Sequence, residues 1–382
     1  MISLDTMSVL VVDDMKSMRL TLRKMLRSLN IGKDLLFAEN GKQALAILRQ
    51  TPCDLAIIDW NMPVMNGSEM LNHLRNDKKF RDMPVIMVTA ENERDIVSEV
   101  AEIEIDAYLL KPLTLAALDE KIRQVVENVN NPDPTTRYLQ TAREYEEAGN
   151  LEKAIEQIRL ALVHKPSASR ILRKMGLLHF KLGKSGIGEK CLQKAIAVNR
   201  QDTASRISLA EYYLTKNQYQ KAAFLYLEIL ALTDRYFENG LDLGRKLLDQ
   251  GFSREALDIL SKIFVRSGKA LSMKEKIIDI CIAYKEFAFA KEKMADILRD
   301  YPYSSQMAFK AGILHRDTKD METALGYFKT ADSLEKGHLG AKMEIAKIHW
   351  RNNRILEADE CLNQILRLDP GNKDAQGMRK KL

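Results

Sequence analysis

The sequence predicts two folds on one chain: an α/β doubly wound, five-stranded parallel sheet, followed by an all-α superhelix of repeated helix pairs. Three observations predict it. Short apolar runs alternate with helical patterns over the first third of the chain, as in a series of βα units. Several of those runs end in a carboxylate, a hydroxyl or an ammonium, which gathers chemistry at one end of a sheet. From Thr135 onward the strand patterns vanish, and small residues recur with a period of 34.

The strands follow in order. Ser8-Val9-Leu10-Val11-Val12 reads as a strand buried on both faces, and Asp13-Asp14 follows it. Asp34 to Ala38 is a second, shorter strand. Leu55-Ala56-Ile57-Ile58 is the third; Asp59 emerges where the sheet stops, and Pro63 bars further strand or helix. Pro84-Val85-Ile86-Met87-Val88 runs into Thr89-Ala90-Glu91, and Ala107-Tyr108-Leu109-Leu110 runs into Lys111-Pro112. Helical patterns lie between and after them, over Lys16–Leu29, Gly41–Arg49, Ser68–Arg75, Arg94–Ala101 and Leu115–Asn128. Asn66-Gly67 reads as a turn.

One sheet end thus collects Asp13, Asp14, Asp59, Thr89 and Lys111. Three clustered carboxylates raise one another's pKa unless a cation shares the site. A hard divalent cation with oxygen ligands resolves that conflict, and Mg²⁺ suits one or two carboxylates plus water and phosphate oxygens. Taken singly, each residue has an ordinary reading: Asp13-Asp14 as a helix N-cap, Thr89 as a strand-end hydroxyl, Lys111 as a solvated charge, Tyr108 as an aromatic near a core. Their order around Asp59 carries the assignment.

That order resembles the receiver domain of two-component response regulators, most closely the chemotaxis (CheY-like) type, over residues 7 to 128. Asp59-Trp60-Asn61-Met62-Pro63 and Thr89-Ala90-Glu91 match it word for word, and Asn66-Gly67 departs mildly from the usual Asp-Gly. The resemblance implies that Asp14, Asp59 and the backbone carbonyl of Asn61 ligate Mg²⁺, with Asp13 acting mainly through water. It implies that Asp59 is the nucleophile that becomes an aspartyl phosphate. Lys111 supplies positive charge, Thr89 donates to the phosphoryl oxygens, and Ala90 leaves room for the phosphate. Thr89 and Tyr108 form the switch, and the Lys111-Pro112 peptide is cis. No organic cofactor is implied.

Length allows two or three domains at 382 residues, and 46% hydrophobic with 29% charged residues is a globular composition. No apolar run reaches the ~18 residues of a membrane span, and the first residues lack a signal-type pattern. Cys53, Cys191, Cys281 and Cys361 are widely spaced and read as reduced core residues of a cytoplasmic protein. Charge is uneven: residues 1–134 carry a net −5 and the remainder +11.

Asn130-Asn131-Pro132-Asp133-Pro134 breaks the last helix of the first part and reads as a linker between residues 1–129 and the array. Ala154, Gly188, Ala222, Ala256, Ala290, Ala324 and Ala358 are each 34 apart, as are Ala142, Gly176, Ala210, Gly244, Ile278, Gly312 and Ala346. Small residues at these two positions let paired helices approach closely. With Tyr145, the turn residue Gly149, Ala161 and Pro166, the pattern resembles seven tetratricopeptide (TPR) repeats over residues 135–372. Residues 373–382 read as a capping segment. The fifth unit, with Ile278 and Lys285, is expected to have a distorted first helix.

His179, His315 and His349 share the eleventh position of their units with Tyr145 and Tyr213, so they read as packed helix residues rather than metal ligands. Tyr212-Tyr213 and Phe224-Leu225-Tyr226 read as core. Positions five, nine and twelve are expected to line a groove suited to an amphipathic helix or extended peptide, for example Arg173, Leu177 and Phe180, or Leu241, Arg245 and Leu248.

The function expected is a phosphorylation-controlled signalling protein with the receiver as input and the repeats as output. Its partners would be a sensor histidine kinase or phosphotransfer protein and a protein or peptide in the groove, with self-association left open. Catalysis would be limited to self-phosphorylation and self-dephosphorylation at Asp59. The alternative is a transcription regulator that contacts nucleic acid through the basic helical half, disfavoured because no helix-turn-helix module is left over.

Overall fold

The computed structural model describes residues 1–90 and 105–382. Glu91 and the helix expected over Arg94–Ala101 lie outside the described residues. Among the described residues are five strands, β1 (Ser8–Val12), β2 (Asp34–Ala38), β3 (Leu55–Asp59), β4 (Val85–Thr89) and β5 (Ala107–Leu110). They pair in parallel in the order β2-β1-β3-β4-β5, the doubly wound sheet. Helices α1 (Lys16–Ser28), α2 (Gly41–Gln50), α3 (Gly67–Asn76) and α4 (Leu115–Asn130) flank it.

The strands are apolar throughout because both faces are covered. Leu10, Val12, Ala56 and Ile58 pack with Ala44 and Leu48 of α2 and Met70, Leu71 and Leu74 of α3. Val9, Val11 and Ile57 point the other way, onto Leu22 and Leu26 of α1 and Leu118, Ile122 and Val125 of α4. Each such Val, Leu, Ile or Met side chain contributes about 1.5–3 kcal/mol when fully buried.

Asn66-Gly67 is not the turn expected from the sequence. Asn66 is the N-cap of α3, accepting from the Glu69 amide while the Glu69 carboxylate accepts from the Asn66 amide, and Gly67 is the first helical residue. The short side chain of Asn suits a cap as well as a turn, so its type alone does not separate the two.

Helices follow in pairs from Pro134: α5 (Pro134–Glu147) with α6 (Leu151–His164), and α7 (Ser169–Lys181) with α8 (Ser185–Val198). Asp133 caps α5 at the Thr136 amide, with Pro134 at its first position, where no amide is needed. Next come α9 (Thr203–Thr215), α10 (Tyr219–Leu232), α11 (Phe237–Asp249), α12 (Ser253–Arg266), α13 (Leu271–Ala283) and α14 (Phe287–Asp300). The last are α15 (Ser305–Asp317), α16 (Met321–Leu334), α17 (Leu339–Arg351), α18 (Ile355–Leu368) and α19 (Lys373–Arg379). The chain divides into two compact units, Met1–Tyr212 and Tyr213–Leu382. No helix among the described residues is long and apolar enough to cross a membrane.

The small residues at the two periodic positions face their partner helix. A methyl group on Gly312 would come within 2.5 Å of the Phe328 ring, and one on Gly244 within 3.1 Å of Leu260. The turn position marked by Gly149 and Lys285 repeats through the whole array. Gly149, Gly183, Asn217, Gly251, Lys285, Lys319 and Asn353, again 34 apart, all have positive φ between 55° and 79°. Each closes the first helix of its unit through a left-handed turn, and side chains other than Gly tolerate it at a cost of about 1–2 kcal/mol.

The expected distortion of the fifth unit is absent: α13 spans 13 residues, as do α7, α11, α15 and α17. Lys285 simply adopts the turn with φ 62°. Ile278 is fully buried, as are the small residues Ala142, Ala210 and Ala346 at the same position of other units. Two other expectations are corrected. Phe224 is 63% exposed, while its neighbours Leu225 and Tyr226 are buried, because it lies on the outer side of α10. Leu241 and Leu248 are buried between helices, so the fourth unit does not present them to a groove.

His179 and His349 are packed helix residues, and neither ring nitrogen of His179 nor Nδ1 of His349 has a hydrogen-bond partner. His315 differs, with Nδ1 2.9 Å from Asp320. Burial, reinforced mainly by Arg159 at His179 and Lys329 at His349, holds both pKa values below the usual 6.5. The unfolded chain therefore takes up protons first, and stability falls as pH drops below about 6.5, with a slope of at most about 1.4 kcal/mol per pH unit for each His. His179→Tyr with His349→Tyr, the side chain used at Tyr213, should flatten the melting temperature between pH 7 and 5. An unchanged acid slope would mean that other groups set it.

Candidate functional site: a carboxylate cluster at the carboxyl end of the sheet

Strand order builds the site. β1 and β3 are neighbours whose connections leave in opposite directions, so a crevice opens between Asp13 after β1 and Asp59 at the end of β3. Thr89 ends β4, the next strand, and Lys111 follows β5 at the edge. One carboxylate oxygen from each of Asp13, Asp14 and Asp59 lies within 4.8 Å of the other two. Asp13 and Asp59 are buried, and Asp14 is exposed. The Lys111 ammonium reaches back over β4, 2.7 Å from Asp59 Oδ1 and 3.1 Å from Asp13 Oδ2. The Lys111-Pro112 peptide is cis.

Burial pushes the Asp59 carboxyl above its usual range; the Lys111 hydrogen bond and charge work against this, and the charges of Asp13 and Asp14 add to it. At Lys111 burial alone would lower the pKa, but hydrogen bonds to Asp59 and Asp13 outweigh it and raise the value. Three carboxylate oxygen donors at this spacing suit a hard divalent cation that would relieve their repulsion.

Of the other expected residues, Thr89 is buried at the end of β4, next to β3. Asn61 follows Trp60, whose amide donates to the Val88 carbonyl and so holds the loop at the sheet's end. Ala90 is exposed beside Thr89. Tyr108 pairs with Met87 across β4–β5 and is 37% exposed.

Two positioning residues escaped the sequence reading. A methyl group on Gly67 would sit 2.3 Å from the Asp59 carbonyl oxygen, so only glycine lets the start of α3 close against the end of β3. The Gly67 amide donates to the Trp60 carbonyl at 2.9 Å. Arg19 donates to the carbonyls of Asp13 and Asp14 at 2.7 and 3.0 Å and pairs with Glu39 at 2.6 Å, pinning the loop that carries both carboxylates. A signal existed for it: α1 opens with Lys16 and Arg19 and no acidic residue, against the preference of a helix N-terminus for negative charge.

The response regulator receiver domain family matches residues 9–123. The chain is 39% identical over 124 residues to the chemotaxis protein CheY of Pseudomonas aeruginosa, covering 32% of this chain and 99% of that protein. The chain belongs to the response regulators. A CheY homolog of Campylobacter jejuni is 39% identical over 121 residues, covering 31% of this chain and 92% of that protein. The solved structure of Vibrio cholerae chemotaxis protein CheY4 is 28% identical, covers 31% of this chain and 98% of that one, and gives a TM-score of 0.30. Tetratricopeptide repeat families match residues 173–236 and 315–382. The regulator is therefore a receiver domain fused to a TPR-type helical array, and its receiver ties it to phosphorylation-dependent signalling.

Proposed function

We propose that Asp59 is the phosphoacceptor of this regulator and that its phosphorylation switches the protein–protein interactions of the repeat array. One observation carries the reading: a buried Asp59, one ammonium at 2.7 Å, and two further carboxylates within reach at the end of a parallel strand. Asp59 attacks the phosphorus, and the donor's bond to phosphorus breaks with its electron pair leaving on the donor. Asp14, Asp59 and the Asn61 carbonyl would hold Mg²⁺, with Asp13 assisting through water, and the cation would supply positive charge against the phosphoryl oxygens. Lys111 contributes a second positive charge, Thr89 donates its hydroxyl, and the exposed Ala90 leaves the entrance open. Thr89 and Tyr108 then move together as the switch.

The domain limits that go with this reading are a receiver at 1–129, a linker at 130–134, seven repeats at 135–372 and a terminal segment at 373–382. The phosphoryl donor is a sensor histidine kinase or phosphotransfer protein. The protein acts as an enzyme only on its own Asp59. Incubation with acetyl phosphate and Mg²⁺ should add one phosphoryl group, located to the peptide carrying Asp59, and chelator should abolish the addition. Label on any other residue would contradict the reading.

A further inference from the structure

Within the first compact unit, a cavity of about 590 Å³ opens between the end of α3 and the first two helix pairs. Its floor is apolar, made by Leu139, Ile158, Ile171 and Leu177. Arg75 and Arg81 of the receiver and Arg143 of α5 form one side. The other side is one face of α7, where Arg170, Arg173, Lys174 and Lys181 stand at helical spacing around Leu177.

Among the described residues the lining holds two carboxylates. Glu147 pairs with Arg81, and Glu146 is shared by Lys174 and Lys181 at 2.6 Å each. Carboxylates outside the lining take up some of the remaining charge: Asp106 meets Arg75 at 2.9 Å, Asp82 meets Arg143 at 2.5 Å and Asp202 meets Arg173 at 3.0 Å. Among the described residues, seven cationic side chains and two carboxylates line the cavity, and two ammonium groups divide one of those carboxylates.

We propose that this cavity is a docking site for an acidic peptide segment that carries an apolar side chain. The proposal rests on the reading of the repeat array as the output arm. Volume and chemistry select the occupant. The space lies in the range of ligand pockets, room for a few side chains rather than a folded domain. The apolar floor rewards a Leu-like anchor, and the rim of cations matches flanking carboxylates. A nucleic-acid strand fits poorly: among the described residues none in the lining is aromatic, so bases find no ring to stack on there. Because two of the rim arginines belong to the receiver, the site is complete only when the receiver is docked. Arg75 also donates to the carbonyls of Arg81 and Met83 at 3.1 and 2.9 Å, tying the rim to the entry of β4.

The test is fluorescence anisotropy on the full chain with a labelled peptide of alternating Glu and Leu. An all-Glu peptide, a Lys-Leu peptide and single-stranded DNA serve as comparisons. The Glu-Leu peptide should bind, and the double variant Lys174→Gln with Lys181→Gln, or Arg81→Gln alone, should weaken it at least tenfold. Lys174→Arg should retain binding, and circular dichroism melts check that each variant is folded. No binding, binding indifferent to these variants, or equal binding of all-Glu peptide and DNA would overturn the proposal. Acetyl phosphate labelling of the same samples separates the two readings. Normal labelling without peptide binding sinks the docking site alone, whereas binding without labelling sinks the role of Asp59 and leaves the site standing.

Discussion

Asp59→Asn is expected to abolish phosphoryl uptake and, in chelator at neutral pH, to melt at a higher temperature than the natural protein. The first effect is a complete loss, because the amide lacks the nucleophilic oxygen charge. The second follows from linkage. Burial raises the Asp59 pKa above its usual 3.8. A carboxyl raised on folding contributes stability that is fully present below its unfolded pKa and is lost as pH rises through its folded pKa. At pH 7 the ionised Asp59 is therefore a net cost, which a neutral side chain of the same shape removes; Lys111 keeps Asp13 as a partner at 3.1 Å. Mg²⁺ should raise the melting temperature of the natural protein and do so much less for the variant. The gap in chelator should narrow as pH falls toward 4. A variant that melts lower in chelator would mean that the Lys111 pairing outweighs burial.

Gly67→Ala is the second large effect. The added methyl would lie 2.3 Å from the Asp59 carbonyl oxygen, 2.8 Å from Met87 Cε and 3.1 Å from the Asp59 carbonyl carbon. Met87 can rotate away, but the Asp59 backbone cannot move without shifting the proposed acceptor. Overpacking of this kind costs about 1–3 kcal/mol. A displacement near 1 Å of a reacting group costs about 100-fold in rate. Acetyl phosphate labelling should slow by that order while circular dichroism still shows a folded protein. Labelling at the natural rate would mean that α3 moves aside and that Gly67 does not position Asp59.

The five strands and the cluster around Asp59 were legible because both depend on local pattern. Apolar runs such as Leu55–Ile58 declare strands buried on both faces, and the strand order then brings Asp13, Asp59, Thr89 and Lys111 together. The 34-residue period was legible for the same reason. What escaped depends on packing between distant segments. Gly67 reads as turn chemistry until the Asp59 carbonyl is seen beside it, and Leu241 reads as a groove residue until the neighbouring helices enclose it. The contact between receiver and first repeat was also hidden. Arg81 pairs with Glu147 and Arg143 with Asp82, and nothing in the charge pattern of either segment singles out these four among their charged neighbours.

That contact bears on how a signal leaves Asp59. It lies near the entry of β4, at the sheet end opposite the carboxylates, and a short chain of bonds ties it to the starts of β4 and β5. Asp106, just before β5, accepts from the Val85 amide at 2.8 Å and from Arg75 at 2.9 Å. Arg75 holds the carbonyl of Arg81, and Arg81 holds Glu147 of α5. If the proposed switch shifts Thr89 and Tyr108 on β4 and β5, the starts of those strands would pass the movement to the repeat array through Asp106 and Arg75. Taking a two-state element from ~1:99 to ~99:1 requires about 5.5 kcal/mol. Charge-assisted bonds from Lys111 and Thr89 to a phosphoryl group, at about 1.5–3 kcal/mol each, approach that figure.

Hydrogen exchange on the full chain, with and without beryllofluoride and Mg²⁺, tests this coupling most directly. The account expects changed protection in three places: the loops carrying Asp13, Asp59 and Lys111, the strand Ala107–Leu110, and the contact formed by residues 78–82 with α5. Changes confined to the loops around Asp59, with none at residues 78–82 or in α5, would contradict it and leave the receiver and the repeats as independent domains on one chain.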